Sequence, residues 1–346
     1  MIDINLVRNQ PAKVRDSLER RNMDSGVVDE VIQIDQERRT LITEVEGLKA
    51  ERNIVSKEIG QQKDAEQRQA KIAAMRKVAD RIKVLDEQVR EVDAKLDALM
   101  SGIPNIVDDD VPMGKSDADN VELRVVGEKK QFDFTPKPHW ELGPELGIID
   151  FERGVKITGS RFYILSGAGA RLQRALIAFM LDLHAKQGYV EKYTPFMVKE
   201  ETLYASGQLP KFADNLYHDH EEDLWMLPTA EVALTGMMMN ETIEEVELPL
   251  RFTAYTACFR REKMSAGRDV RGIKRGHQFD KVEMYSFTHP DESESELERM
   301  TQDAIETCEK LGLTYRVLKL CTADLSFGAA KGYDIEVWAP GCDEWL

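Results

Sequence analysis

The segment FRREKMSAGRDVRGIKRGHQFDKVE, residues 259–283, gathers the residue types best suited to hold anions. Arg260 carries a guanidinium whose fork of N–H donors can grip a phosphate and a carboxylate together. Glu262 follows two positions on, which in an extended strand puts both side chains on one face. An isolated Arg-x-Glu pair on a β-hairpin also reads as a surface ion pair worth under about 1 kcal/mol. A second cationic feature lies far upstream. From Lys57 to Lys83 there are eight basic and four acidic residues, a local charge of +4 on a chain whose formal net charge is −16. That contrast suggests a confined contact with a polyanion, although a solvated helical surface has the same composition.

Both features need a scaffold, and the first third of the chain is helical by its repeat. Val27, Val31, Ile34, Arg38, Leu41, Val45, Leu48, Arg52, Val55 and Ile59 step by four and three without a break. After the polar stretch GQQKDAEQRQ the stepping returns in Met75, Val78, Ile82, Leu85, Val89, Val92, Leu96 and Leu99. This is the seam of a coiled coil, and two such runs about a polar turn predict an antiparallel hairpin over 27–100. At about 1.5 Å per residue it extends some 45–50 Å, with the basic island at its tip. SGIPNIVDDDVPMGK, Ser101 to Lys115, reads as a linker.

Beyond it the periodicity changes. Gly169 to Gln187 predicts an amphipathic helix, and Ser293 to Leu311 another. LWMLP, FTAYTACFRRE, FDKVEMYSF, YRVLKLC and YDIEVWA predict strands with hairpin spacing. The fold class expected is α+β, a helical arm over 1–110 followed by a mainly antiparallel sheet flanked by helices over 111–346. Cys258, Cys308, Cys321 and Cys342 lie far apart with no CxxC pair, which points to reduced thiols. HDHEED at His218 to Asp223 reads as a solvated turn rather than a metal cluster. No apolar stretch approaches the roughly 20 residues of a membrane span, and the N-terminal residues lack a signal core, so no membrane is expected and the location expected is cytoplasmic.

Three segments of the second domain resemble class II aminoacyl-tRNA synthetases. GYVEKYTPFMV, Gly188 to Val198, resembles motif 1, which in that family builds the dimer interface; a homodimer through Gly188–Pro195 is implied. FRREKMSAGRDVRGIKRGHQFDKVE resembles motif 2, and its FRxE, AGRDxRG and HQFDKVE wording is that of the seryl branch. GQLPKF (Gly207 to Phe212) with LPTAEVALT (Leu227 to Thr235) is similar to the same branch. KMSAG at Lys263 looks like the start of a class I loop, but no Rossmann glycine pattern or HIGH-type motif accompanies it.

The resemblance implies roles residue by residue. Arg260 would be catalytic, binding the α-phosphate of ATP. Glu262 would accept from the adenine amino group, Arg275 would meet the outer phosphates, Phe279 would stack on adenine, and Arg261 would belong to the same ATP site. Thr229, Ala230, Glu231 and Glu283 would bind L-serine, two carboxylates and a hydroxyl for an ammonium and an alcohol. Lys63, Arg68, Lys71, Arg76 and Lys77 would meet tRNA(Ser), and the family also implies tRNA(Sec), through shape and phosphate position. The cofactors implied are ATP and Mg2+, with no metal ligand within the chain. In the family a further strand bearing magnesium contacts and then motif 3 follow the point where CDEWL ends, so the chain reads as truncated, and an unstable or inactive protein is expected. Two other readings are a synthetase-like paralogue charging a carrier protein and an inactive coiled-coil fragment. The long arm argues against the first, and FRRE…HQFDKVE against the second.

Overall fold

The computed structural model describes residues 2–263 and 271–346; most of the KMSAG and AGRD wording quoted above lies outside them. The chain divides into two compact units, residues 1–119 with 321–331, and residues 120–320 with 332–346.

In the first unit, α1 (Ile4–Asn9) and α2 (Pro11–Arg20) precede α3 (Val27–Gln61) and α4 (Ala65–Ser101), the two limbs of the hairpin. Val31, Val45, Ile82, Leu85, Val92 and Leu96 are buried along the predicted seam, while Ile54 and Val84, which fall outside it, are exposed. Ion pairs cross between the limbs at Arg38–Asp93 (2.5 Å), Glu44–Arg81 (2.7 Å), Lys49–Asp86 (2.8 Å) and Glu58–Lys71 (2.6 Å). As one partner advances the other generally recedes, which fixes the antiparallel sense. The turn is shorter than the polar stretch suggests, because Asp64 caps α4 by accepting from the N–H groups of Glu66 and Gln67. At the base, Val7, Val14, Leu18, Val28 and Ile103 form a small core, and Arg8 forks onto the buried Asp35.

Residues 101–115 are not a loose linker. Ile103, Val107 and Val111 are buried, and Ser17 Oγ accepts from the N–H of Val107 at 2.9 Å. Three inward apolar side chains tie the segment down despite its glycines and prolines. The return segment 321–331 joins it through Asn105 N–H to Phe327 O and Asp108 N–H to Ala330 O, both at 3.0 Å.

The second unit runs β1 (Val121–Val126), α5 (His139–Glu145), β2 (Ile149–Asp150), α6 (Phe151–Thr158), β3 (Ile164–Leu165), α7 (Ala168–Lys186), β4 (Val190–Glu191), β5 (Met197–Lys199), α8 (Glu200–Ala205), β6 (Tyr217–Asp219), β7 (Leu224–Met226), α9 (Ala230–Met237), β8 (Leu250–Phe259), β9 (Gln278–Phe287), α10 (Ser293–Lys310), β10 (Tyr315–Lys319), β11 (Tyr333–Ala339) and β12 (Glu344–Trp345). Strands β1, β10, β11 and β12 form an antiparallel sheet, and β5, β7 and β6 another. In a third sheet β9 pairs antiparallel with β8, whereas β4 pairs parallel to β8 on its other edge.

The β8–β9 ribbon positions the site. Its register sets Cys258 opposite Phe279, Thr256 opposite Lys281 and Ala254 opposite Glu283, so Phe279, Lys281 and Glu283 share one face. Helix α9 packs on that face, with Ala230 and Leu234 against Phe252 and Ala254. On the other face Asp280 accepts from Tyr255 Oη (2.8 Å) and from Gln173 of α7. In β8, Phe252, Ala254, Thr256 and Cys258 are buried in alternation, and Thr253 adds a buried residue on the opposite face.

Candidate active site

Helix α9 begins at the Thr-Ala-Glu segment, where the Thr229 side chain caps the helix by accepting from the Glu231 N–H at 3.4 Å. The same hydroxyl donates to Glu283 Oε2 at 2.5 Å and accepts from Lys281 Nζ at 2.9 Å. Lys281 and Glu283 are themselves 2.5 Å apart. A primary ammonium thus already sits between a hydroxyl and a carboxylate, and the same two groups suit a substrate ammonium. Glu231 is half-buried beside them. Burial raises its carboxyl above the ordinary 4.5, the neighbouring Glu283 charge adds to this, and Lys281 and Arg260 act against it. Ala230 is fully buried against the ribbon, so its contribution is to the packing of α9.

Arg260 lies just past the end of β8, pinned by its N–H to His277 O at 2.9 Å. Its Nε donates to Pro228 O at 3.3 Å, and its guanidinium lies 5.0 Å over the Phe279 ring. On one side Arg260 therefore reaches the residue preceding the Thr-Ala-Glu turn. On the other it walls a cavity of about 450 Å³ lined by Glu262, Lys274, Arg275, Gly276, Phe279, Glu344, Trp345 and Leu346. Three cations around an aromatic ring suit an anion that carries a flat ring system.

The expected strand face for Arg260 and Glu262 is corrected, since β8 stops at Phe259. Glu262 instead takes a left-handed φ of 49°, and its side chain, only 10% exposed, turns into the cavity wall, where Arg275 Nη1 lies 3.4 Å from Oε2. Arg261 does not line the cavity; it faces Tyr217, with its guanidinium 5.7 Å from the ring. The fold thus brings Arg260, Glu262, Arg275 and Phe279 together, with Thr229, Glu231 and Glu283 on the far side of Arg260. Sequence reasoning passed over Lys281, although its period-two spacing between Phe279 and Glu283 places it on the same face. It also missed Lys274, which contacts Glu344 across 70 residues of chain, a pairing with no local signal.

Among the described residues no three His, Cys, Asp or Glu side chains are gathered to hold a metal ion. HDHEED is the connection of the β6–β7 hairpin, where His218 stacks on Trp225 at 4.0 Å and reaches Asp223 at 2.9 Å. On the arm, Lys63, Arg68, Arg76 and Lys77 are exposed, whereas Lys71 is engaged by Glu58.

Residues 1–107 match the seryl-tRNA synthetase N-terminal domain, and residues 212–346 match the tRNA synthetase class II core domain (G, H, P, S and T). The serine–tRNA ligase of Chloroflexus aurantiacus is 58% identical over 346 residues, covering all of this chain and 82% of that protein. That of Thermomicrobium roseum is 53% identical, covering all of this chain and 78% of its own. The crystal structure of seryl-tRNA synthetase from Pyrococcus horikoshii complexed with ATP superposes with a TM-score of 0.91 at 36% identity, covering 100% of this chain and 82% of that one. Cytoplasmic serine–tRNA ligase from Naegleria fowleri in complex with AMP gives 0.86 at 30% identity, over 99% and 80%. The helical hairpin and the sheet that carries the β8–β9 ribbon agree with these matches: the chain belongs to the seryl-tRNA synthetase family.

Proposed function

We propose that this chain activates L-serine with ATP and passes the seryl group to the terminal adenosine of tRNA(Ser). In the first step a carboxylate oxygen of serine attacks the α-phosphorus; the acyl–phosphate bond forms as the bond to pyrophosphate breaks. In the second, a ribose hydroxyl of the adenosine attacks the acyl carbon and AMP leaves. The first step brings two anions together, so cations in fixed positions are the main requirement. The observation that carries the reading is the place of Arg260, between Pro228 at the Thr-Ala-Glu turn and the Phe279 ring at the cavity. From there one guanidinium can meet both the serine carboxylate and the α-phosphate.

Phe279 offers its ring to adenine, Glu262 its carboxylate to the adenine amino group, and Arg275 and Lys274 their charges to the outer phosphates. Arg261, turned towards Tyr217, would add its charge to the ATP site from outside the cavity. A magnesium ion arriving with ATP would offset charge on the phosphates. Thr229, Glu231 and Glu283 hold the serine ammonium and hydroxyl. Alanine would leave those buried polar groups unpaired, which is the stronger form of discrimination. The ATP complex of the Pyrococcus relative and the AMP complex of the Naegleria one support the nucleotide assignment.

The arm, residues 1–110, supplies the RNA contact through Lys63, Arg68, Arg76 and Lys77, with Lys71 partly neutralised by Glu58. The same contact would serve tRNA(Sec). Exposed Val190 and Tyr193, in the segment from Gly188 to Pro195, support a second copy docking there. No described helix is long and apolar enough to cross a membrane, and we place the activity in the cytoplasm. The test is exchange of labelled pyrophosphate into ATP with serine, threonine or alanine, followed by charging of tRNA(Ser). Exchange that depends on serine supports the reading; exchange driven equally well by alanine contradicts it.

A further inference from the structure

Glu262 is a non-glycine residue at φ 49°, a conformation that needs support from its surroundings. Asn215 holds the backbone on both sides of it. Its backbone carbonyl accepts from the N–H of Arg261 at 2.8 Å, and its side-chain Oδ1 accepts from the N–H of Lys263 at 3.1 Å. The peptide N–H one residue before Glu262 and the one just after it are thus tied to the same residue. Between them Glu262 takes its left-handed φ, and its carboxylate is turned towards Arg275. Asn215 is itself firmly held. It ends a short 3-10 turn, donates its N–H to Phe212 O at 2.8 Å, and is followed by Leu216, which is buried with Leu209, Leu227 and Cys258.

We propose that Asn215 is a positioning residue that sets the Glu262 carboxylate, and through it the selectivity of the nucleotide site for an adenine base. This rests on the reading of Glu262 given under the proposed function. Asn215 lies 47 positions before Glu262 in sequence and does not line the cavity, so its effect passes through the backbone of Arg261 to Lys263. Only the Oδ1 bond depends on the side chain. Asn215→Ala removes it, whereas Asn215→Asp keeps an acceptor of the same reach.

The experiment compares binding of ATP and inosine triphosphate, by titration calorimetry, to the full chain and three variants. Inosine carries an oxygen in place of the 6-amino group, so a fixed Glu262 favours ATP. Wild type and Asn215→Asp should prefer ATP. Asn215→Ala should lose about tenfold in ATP affinity while its affinity for inosine triphosphate changes little. Because the ratio is taken on one sample, partial unfolding cancels. An unchanged ratio in Asn215→Ala, with the ratio lost in Glu262→Ala, overturns the role of Asn215 alone. An unchanged ratio in Glu262→Ala overturns the adenine reading and this inference together.

Discussion

Thr229 Oγ1 and Glu283 Oε2 meet at 2.5 Å although 54 residues separate them in sequence. The contact joins the first turn of α9 to the middle of β9 and fixes a carboxylate and a hydroxyl around one cation, Lys281. As a serine site it would bind an ammonium by exchange with a cation it already accommodates. It therefore does not have to create an unpaired buried charge when the substrate leaves.

Glu283→Gln keeps the shape and removes the charge. We expect serine KM to rise by roughly 30-fold, the cost of one hydrogen bond to a charged group, with the KM for ATP near its wild-type value. Steady-state exchange kinetics in each substrate check this. A common loss in both would mean that Glu283 supports the fold rather than serine.

Glu231 gives serine binding a pH dependence. Burial and the Glu283 charge raise its carboxyl above 4.5, and only the ionised form attracts the serine ammonium. Binding therefore releases the proton, and affinity falls as pH falls through a range above that of an ordinary carboxylate. Serine affinity measured by calorimetry as pH is lowered from neutral should show this slope, and Glu231→Gln should flatten it at a lower overall affinity.

Glu296 anchors α10 to β8 and predicts an acid-labile fold. Burial would raise its carboxyl, but hydrogen bonds from Arg251, Arg299 and Ser286 outweigh this and hold it at about 2. A lowered carboxyl stabilises the fold fully above 4.5, and that stabilisation is lost as pH falls towards 2. At about 1.4 kcal/mol per unit it amounts to about 3 kcal/mol. Urea unfolding of Glu296→Ala should show a loss of about 3–5 kcal/mol at neutral pH, since Arg251 is left without its carboxylate.

The arm should affect RNA alone. Replacing Arg68, Arg76 and Lys77 with alanine should weaken tRNA binding and flatten its salt dependence while serine-dependent exchange continues. Lys71→Ala should cost less than any of these, because Glu58 already offsets its charge. Filter binding across a salt series measures both.

The hairpin was legible in the sequence because two long helices that pack along each other above their base bury a single seam, and a seam has a period. Arg38 shows why interruptions did not hide it: Asp93 takes the guanidinium at the edge while the spacing continues. The β8–β9 ribbon was legible for a related reason, as FTAYTACF and QFDKVEMYSF are dense in β-branched and aromatic residues. The return of 321–331 to the first unit was not legible, since the backbone bonds from Asn105 and Asp108 and the side-chain contacts of Arg21 and Asp110 that hold it join residues far apart in sequence. The turn of Glu262 was hidden for the same reason. Its strand-like spacing after Arg260 implied a shared face, while the backbone before and after it is bonded to the carbonyl and side chain of the distant Asn215. Local periodicity thus gave the scaffold, and the long-range polar contacts that finish the site needed coordinates.

The most direct measurement is serine-dependent ATP–pyrophosphate exchange by Arg260→Ala. With the guanidinium gone, the group that reaches both Pro228 at the Thr-Ala-Glu turn and the Phe279 ring is lost, and exchange should fall by at least about 100-fold while tRNA affinity is unchanged. Exchange within about threefold of wild type, a change under 1 kcal/mol, would contradict the account.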